Sequence, residues 1–239
     1  DGILMALDFK NAFNTVEHAF LYCALRKFNF GDNFISWIKL LHNKTELTVI
    51  NNGFTSRWFQ PTRGLQQGCP ASAPLFTIVV EILALKIRGE KDIGGISVTG
   101  IPLKLTQYCD DTTLFVRDRS EADKAIEVVK EFGAVSGLEL NMDKCEFMWL
   151  GRQKDNERFI CGYPPVKFTK ILGVIFSATE DCSGINLSAV ESRVANTLTQ
   201  WSQRDLSIKG KITVAKSLIV SQLVYVMAAM RIETKVLAM

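Results

Sequence analysis

The sequence predicts an α+β domain followed by a smaller all-helical one, and three observations carry that reading. Up to about residue 180, short apolar runs of strand character alternate with amphipathic helical patterns. After the polar segment Ser177–Gly184 the pattern turns helical: Leu187, Val190, Val194, Leu198 and Trp201 share one stripe, and a second helix runs from about Ile212 to Met230. The chain is also long enough: 239 residues, 47% hydrophobic and 22% charged, support one large or two small domains with a substantial core. The predicted division is 1–180 and 181–239.

In chain order, Ile3–Leu7 is a short apolar run that delivers Asp8 at its end. A carboxylate there needs a cation or solvent, or it caps a following helix, so metal ligand and N-cap both stand as readings. Helical patterns follow at Val16–Phe28 and Asn33–His42; in the second, Phe34, Trp37, Ile38 and Leu41 fall on one face and are expected in the core. Glu46–Ile50 and Phe54–Phe59 flank Asn51-Asn52-Gly53, a hairpin signal. The stretch Arg63–Pro74 holds Gly64, Gly68, Pro70 and Pro74 and leads into an apolar helix, Leu75–Arg88. Glycines before a helix let backbone approach a ligand and the helix N-terminus favours anions, although a plain connecting loop has the same composition.

Ile93–Tyr108 reads as strands broken at Thr99-Gly100. Within Leu103–Val116, Asp110 and Asp111 stand between two apolar strands, which predicts a hairpin with the pair at its tip. Adjacent carboxylates repel one another, and hydration or a divalent cation relieves the repulsion. Ser120-Glu121-Ala122-Asp123 starts a helix in the manner of a capping box, with Ala122, Ile126, Val129 and Phe132 on its inner face and an end near Gly137. Strand signals return at Cys145–Leu150 and Lys167–Phe176.

A net charge of +3 announces no global field for a nucleic-acid partner. Arg193, Arg204, Lys209, Lys211 and Lys216 against Glu191 and Asp205 could balance that whole excess, a run mild enough to be a solvated helix face. The six cysteines are scattered without close pairs, so neither a zinc motif nor a disulfide framework is suggested and a reducing, intracellular compartment is expected. The apolar runs Leu75–Ile87 and Leu218–Met230 are short for a bilayer span, so no membrane partner is expected. No signal peptide is visible and the chain opens inside a strand pattern, as a piece of a longer protein would.

Taken together and in order, these stretches resemble the reverse transcriptases of non-LTR (LINE-type) retrotransposons. Leu7-Asp8-Phe9-Lys10-Asn11-Ala12-Phe13 looks like the first palm motif, and Phe30 to Ser56 like the connecting helix and hairpin. Arg63-Gly64-Leu65-Gln66-Gln67-Gly68-Cys69-Pro70-Ala71-Ser72 resembles the second motif, Tyr108-Cys109-Asp110-Asp111 the metal-binding third, and Gly137–Asn141 with Lys144 the fourth. Phe168–Val174 looks like the primer-grip strand pair, and the helices after Leu187, with Trp201 and Gly210-Lys211-Ile212, like the thumb. The sequence departs from the usual family pattern at Asn14, Gln66, Ala71, Ala73 and Cys109; none of these removes a metal ligand.

The resemblance implies a polymerase right-hand palm, an antiparallel sheet packed by helices, in 1–180 with part of the fingers, and a helical thumb in 181–239. It implies RNA-directed DNA synthesis on a primer 3′-hydroxyl, with an RNA template, a DNA primer and deoxynucleoside triphosphates as partners. Two Mg²⁺ ions (Mn²⁺ as the substitute), about 3.5–4 Å apart in such sites, clamp the attacking and leaving oxygens. Asp8, Asp110 and Asp111 with the Phe9 carbonyl are the implied ligands, and Lys144 the proton donor or charge stabiliser for pyrophosphate. Gln67 and Gly68 are expected to face the nucleotide, Phe13 to lie under its sugar and exclude a 2′-hydroxyl, and Leu172 and Gly173 to belong to the primer grip. The resemblance also implies nuclear action during target-primed synthesis. Without upstream fingers strands or an endonuclease, this stretch alone is expected to fold but not to polymerise. The alternative is a decayed palm and thumb that binds nucleic acid without catalysis.

Overall fold

The computed structural model describes residues 1–230; the last nine residues of the expected helical domain lie outside the described residues. The chain divides into two compact units, Asp1–Val166 and Lys167–Met239, so the strand pair after Lys167 groups with the helices that follow it.

The first unit opens on strand β1 (Gly2–Leu7), followed by three helices, α1 (Ala12–Thr15), α2 (His18–Lys27) and α3 (Asp32–His42). The expected hairpin is present but short: β2 (Ile50–Asn51) and β3 (Phe54–Thr55), with one further bridge between Leu47 and Phe59. Helix α4 (Ser72–Gly89) precedes a second small hairpin, β4 (Ile96–Val98) and β5 (Ile101–Leu103). Strands β6 (Leu105–Tyr108) and β7 (Asp111–Val116), helix α5 (Arg119–Ser136) and strand β8 (Glu146–Leu150) complete the unit.

Its centre is a four-stranded antiparallel sheet in the order β6-β7-β1-β8. Register explains the core: Ile3 faces Val116 on one side and Trp149 on the other, and Met5 faces Leu114 and Phe147 in the same way. Directly opposed residues project from the same face, so these six side chains form one apolar layer, all but fully buried. Phe76, Val79, Val80 and Leu83 of α4 and Ala122, Ile126, Val129 and Phe132 of α5 pack into the same cluster. In α5 the buried face is the one its period of 3.6 predicts. Asp118 accepts from the Glu121 amide at 3.0 Å as its N-cap. Its end is set by Gly137 at φ 84°, where a Cβ would collide with the Thr15 carbonyl.

Glu121 departs from the capping-box expectation. Its buried carboxylate accepts from the amides of Arg117 (2.9 Å), Gly94 (3.0 Å) and Gly95 (3.3 Å) and pairs with the Arg117 guanidinium. Burial opposes its charge, but these bonds prevail and hold its pKa below the usual value. In α3 the expected core face is corrected: Ile35 and Ile38 are buried, whereas Phe34, Trp37 and Leu41 are exposed.

The second unit contains the two-stranded hairpin β9 (Phe168–Ile171) and β10 (Val174–Ser177), helix α6 (Ser183–Ser202), and helices α7 (Ile208–Val214) and α8 (Ser221–Ala229) joined by a π-helical segment at Ala215–Val220. Asn186 anchors α6 to β10: its side chain accepts from the Ile175 amide at 2.9 Å and donates to the Ile175 carbonyl at 2.8 Å. Of the expected α6 stripe only Val190 is buried, and Leu198 is 52% exposed. The π-helical join makes Ile208–Ala229 a continuous helix of 22 residues whose most apolar 18-residue stretch has mean hydropathy 1.6. This corrects the reading from apolar runs alone: one helix among the described residues is, by length and composition, apolar enough to cross a bilayer.

Candidate active site

The β1/β7 pairing sets Leu7 opposite Thr112, and one further step in that register sets Asp8 opposite Asp111. Ile3, Met5 and Leu7 point toward the helices, so by alternation Asp8 and Asp111 lie on the opposite face of the sheet. The β6–β7 hairpin closes with Tyr108 opposite Asp111, which leaves Cys109 and Asp110 as its loop. Tight two-residue loops require positive φ at their first position, and Cys109 supplies it at φ 53°. For a non-glycine residue that conformation costs on the order of 1 kcal/mol. The hairpin thereby carries Asp110 at its tip and Asp111 at the start of β7.

Electrostatics registers the convergence. Partial burial raises the Asp111 pKa above its ordinary value, and the carboxylates of Asp110 and Asp8 raise it further. Asp8 is thus felt across the sheet from the far end of the sequence. Among the described residues no three His, Cys, Asp or Glu side chains gather into a ready-made ion-holding group. The carboxylates are neighbours on adjacent strand ends, not a closed cage. Their donors are all oxygen, which fits a hard divalent cation such as Mg²⁺ in chemistry.

Beyond Asp8 the chain continues beside the Glu139–Asn141 segment. Lys10 N–H donates to the Glu139 carbonyl and Asn141 N–H to the Asp8 carbonyl, both at 2.8 Å, bracketing a Phe9–Leu140 bridge. In such a wide pair the central residues aim their own N–H and C=O away from each other, so Leu140 does not use the Phe9 carbonyl. The Phe9 ring is buried in the core. Lys10 pairs with Glu139 at 2.6 Å, and that hydrogen bond and charge raise its pKa. Lys144 is exposed in the turn Asn141–Lys144, its amide donating to the Asn141 carbonyl at 3.0 Å. Asp8, Phe9, Asp110, Asp111 and Lys144 therefore belong to one end of the sheet.

Phe13 and the Gln67-Gly68 loop are joined through backbone. The Leu65 amide donates to the Phe13 carbonyl at 2.7 Å and the Gly64 amide to the Val16 carbonyl at 2.8 Å. Gly64 has φ 94°, and a Cβ there would stand 2.6 Å from the Asn14 carbonyl oxygen, so only glycine permits this approach. The Phe13 ring stacks on the fully buried Phe76 with centroids 4.3 Å apart, which fixes its position from below. Gln67 and Gly68 are exposed. Leu172 and Gly173 form the β9–β10 turn of the second unit with φ 48° and 87°, and the Leu172 carbonyl accepts from the Tyr225 hydroxyl.

Sequence reasoning missed two supports of the Gln67 loop. Ser72, at the first turn of α4, donates its hydroxyl back to the Gln66 carbonyl at 2.6 Å; a serine just before an apolar helix was the available signal. His18 Nε2 donates to the Gly64 carbonyl at 2.8 Å, a tertiary bond with no local sequence signal.

A family model described as reverse transcriptase (RNA-dependent DNA polymerase) matches residues 2–176. The Transposon TX1 uncharacterized 149 kDa protein of Xenopus laevis is 28% identical over 92% of this chain, which spans 17% of that protein. The Pol polyprotein of the type-2 retrotransposable element R2DM of Drosophila melanogaster is 28% identical over 72% of this chain, again with 17% of its own length covered. The chain thus spans only a small part of these relatives. Among solved structures, telomerase from Candida Tropicalis in complex with a TWJ fragment of telomeric RNA matches 97% of this chain and 40% of its own, with TM-score 0.52 at 12% identity. At that identity the likeness is one of fold.

Proposed function

The chain belongs to the reverse transcriptase (RNA-dependent DNA polymerase) family, with non-LTR retrotransposon proteins as its relatives, and we propose that it is the catalytic core of such a polymerase. The observation that carries the proposal is the convergence of Asp8, Asp110 and Asp111 at one sheet end, where burial and then the charges of Asp110 and Asp8 raise the Asp111 pKa. Asp8 and Asp110, with Asp111 and the Phe9 carbonyl beside them, would hold two Mg²⁺ ions. Bound there, the metal supplies activation of the primer 3′-hydroxyl and charge stabilisation of the leaving pyrophosphate.

The remaining roles fall to the chain's own side chains. Phe13, braced on Phe76, packs against the nucleotide sugar and excludes a 2′-hydroxyl, so the product is DNA. Gln67 and Gly68 hold the nucleotide, with the loop braced by Ser72 and His18. Lys144 offers a proton or positive charge to the departing pyrophosphate. Leu172 and Gly173 contact the primer strand; the template is RNA and the site of action the nucleus.

A second reading, binding of nucleic acid without polymerisation, is favoured by one observation: the carboxylates do not form a ready-made ion-holding group. Primer extension on an RNA template with and without Mg²⁺, by the chain as given and by a version extended at its N-terminus, decides between them. Asp110→Asn should abolish extension while leaving the circular dichroism spectrum unchanged. Extension that survives the substitution in the extended version would remove Asp110 from the chemistry, and a metal-dependent signal absent from the extended wild type would favour the binding-only reading.

A further inference from the structure

We propose that the cavity beside the Gln67 loop is a binding site for a single unstacked nucleobase, an inference that rests on the nucleic-acid reading above. The cavity, about 460 Å³, lies within the first unit between the ends of α2 and α3, the Leu47–Phe59 bridge and the loop Arg63–Gln67. That volume is in the range of about 300–1,000 Å³ usual for small-molecule sites.

Its walls suit a flat heterocycle with a polar edge. His18 and His42, the only two histidines of the chain, both line it and stack face to face with centroids 4.3 Å apart and planes 8° from parallel. Burial and then the neighbouring His18 lower the His42 pKa to about 4, so that ring is neutral at physiological pH. The Tyr22 hydroxyl lies 3.0 Å from His42 Nδ1. Assigning the hydroxyl as donor leaves His42 with an Nε2–H that has no partner among the described residues. Neutral imidazole and the ring of Phe59 offer stacking surfaces, Leu47 an apolar side, and Arg63, Gln66 and Gln67 the guanidinium and amide groups that read base edges.

The surroundings suit a phosphate chain. Lys39 sits 5.4 Å from the Tyr22 ring centroid, Lys44 lies between the lining residues His42 and Thr45, and Arg63 lines the mouth itself. Since Gln66 and Gln67 border the cavity and also belong to the nucleotide-facing loop, a base held there would sit beside the proposed active site.

The two histidines give a direct readout. In the full chain, a short single-stranded RNA of mixed sequence should shift the imaginably simple pair of imidazole proton resonances of His18 and His42. The same RNA with one base removed should lose that shift at a single abasic position, with binding weakened about 10-fold, the scale of one base–aromatic stack. Leu47→Trp, which places an indole in the cavity, should also abolish the shift, whereas Leu47→Ala should retain it. Nucleoside 5′-monophosphates are the second arm: equal shifts at equal concentration assign the site to free nucleotide, and shifts from RNA alone assign it to a strand. RNA that fails to bind, RNA that binds by fluorescence anisotropy with both imidazole signals unmoved, or shifts that persist in every abasic RNA would overturn the proposal. No metal or extension is needed, so imidazole shifts in a chain whose N-terminally extended version never extends a primer would refute the catalytic reading and keep this site.

Discussion

In Asp1–Val166 the central strand β1 is buried at Ile3, Leu4, Met5 and Leu7, and α4 and α5 each bury eight residues; in the described part of Lys167–Met239, helix α6 buries only Asn186 and Val190. The second unit instead exposes Ile208, Ile212, Leu218, Val220, Val224 and Tyr225. Full burial of a large apolar side chain contributes roughly 1.5–3 kcal/mol, so the two units differ in how much each holds itself together. A rigid sheet with a dense core can keep carboxylates in register. A sparsely buried helical unit is suited to surfaces that something else covers.

The comparison is easiest to break in the first unit. Phe76→Ala removes a fully buried ring that also carries Phe13, and should cost about 3–5 kcal/mol by denaturant unfolding. A loss below 1 kcal/mol, in the range of a surface change, would show that the core is not what distinguishes this unit. Gly64→Ala places a Cβ against the Asn14 carbonyl at positive φ and should destabilise by roughly 1–3 kcal/mol, read by the same titration. An unchanged midpoint would mean the Gly64–Val16 contact is loose.

Glu121→Gln should cost on the order of 1–3 kcal/mol at neutral pH, because the amide cannot accept from all the donors the carboxylate satisfies. The pH dependence follows from the lowered folded pKa: Glu121 contributes stability above its unfolded value of 4.5 that is lost as pH falls through the lower folded value. Thermal melts of wild type and variant should therefore converge in acid below about pH 4.5. A constant gap would show that the carboxylate charge plays no part. The smallest effect belongs to the second unit, where Ile212→Ser at a half-exposed position should stay within about 0.5 kcal/mol. A larger loss would mean that face is covered, and would narrow the difference between the units.

Legibility in the sequence followed the same division of physics. The α5 face was readable because Ala122, Ile126, Val129 and Phe132 meet one continuous core. The Asp110-Asp111 hairpin was readable because a turn between apolar strands leaves few geometries. The α3 face was misread because periodicity finds apolar stripes but not their partners: Phe34, Trp37 and Leu41 stay exposed, with Phe34 stacked on the exposed Phe30 and not on the core. The β2–β3 hairpin came out shorter than its apolar flanks suggested for the same reason: Val49, Ile50 and Phe54 remain exposed. Of the site, the carboxylates were legible, whereas the braces from His18 to Gly64 and from Phe76 to Phe13 were not, since each joins residues dozens of positions apart through bonds no local pattern encodes.

The short stretch Phe13–Glu17 gives its carbonyls at Phe13 and Val16 to the Gln67 loop and its Glu17 amide to the Ser136 carbonyl at the end of α5. Two distant parts of the chain are therefore indexed to the same five residues. An insertion or deletion of one residue here would slip both at once, whereas the exposed hairpin between Thr45 and Phe59 could change length with little effect on them. Length variation among functional descendants of this sequence should accordingly collect in that hairpin, leaving the count from Asp8 to His18 invariant.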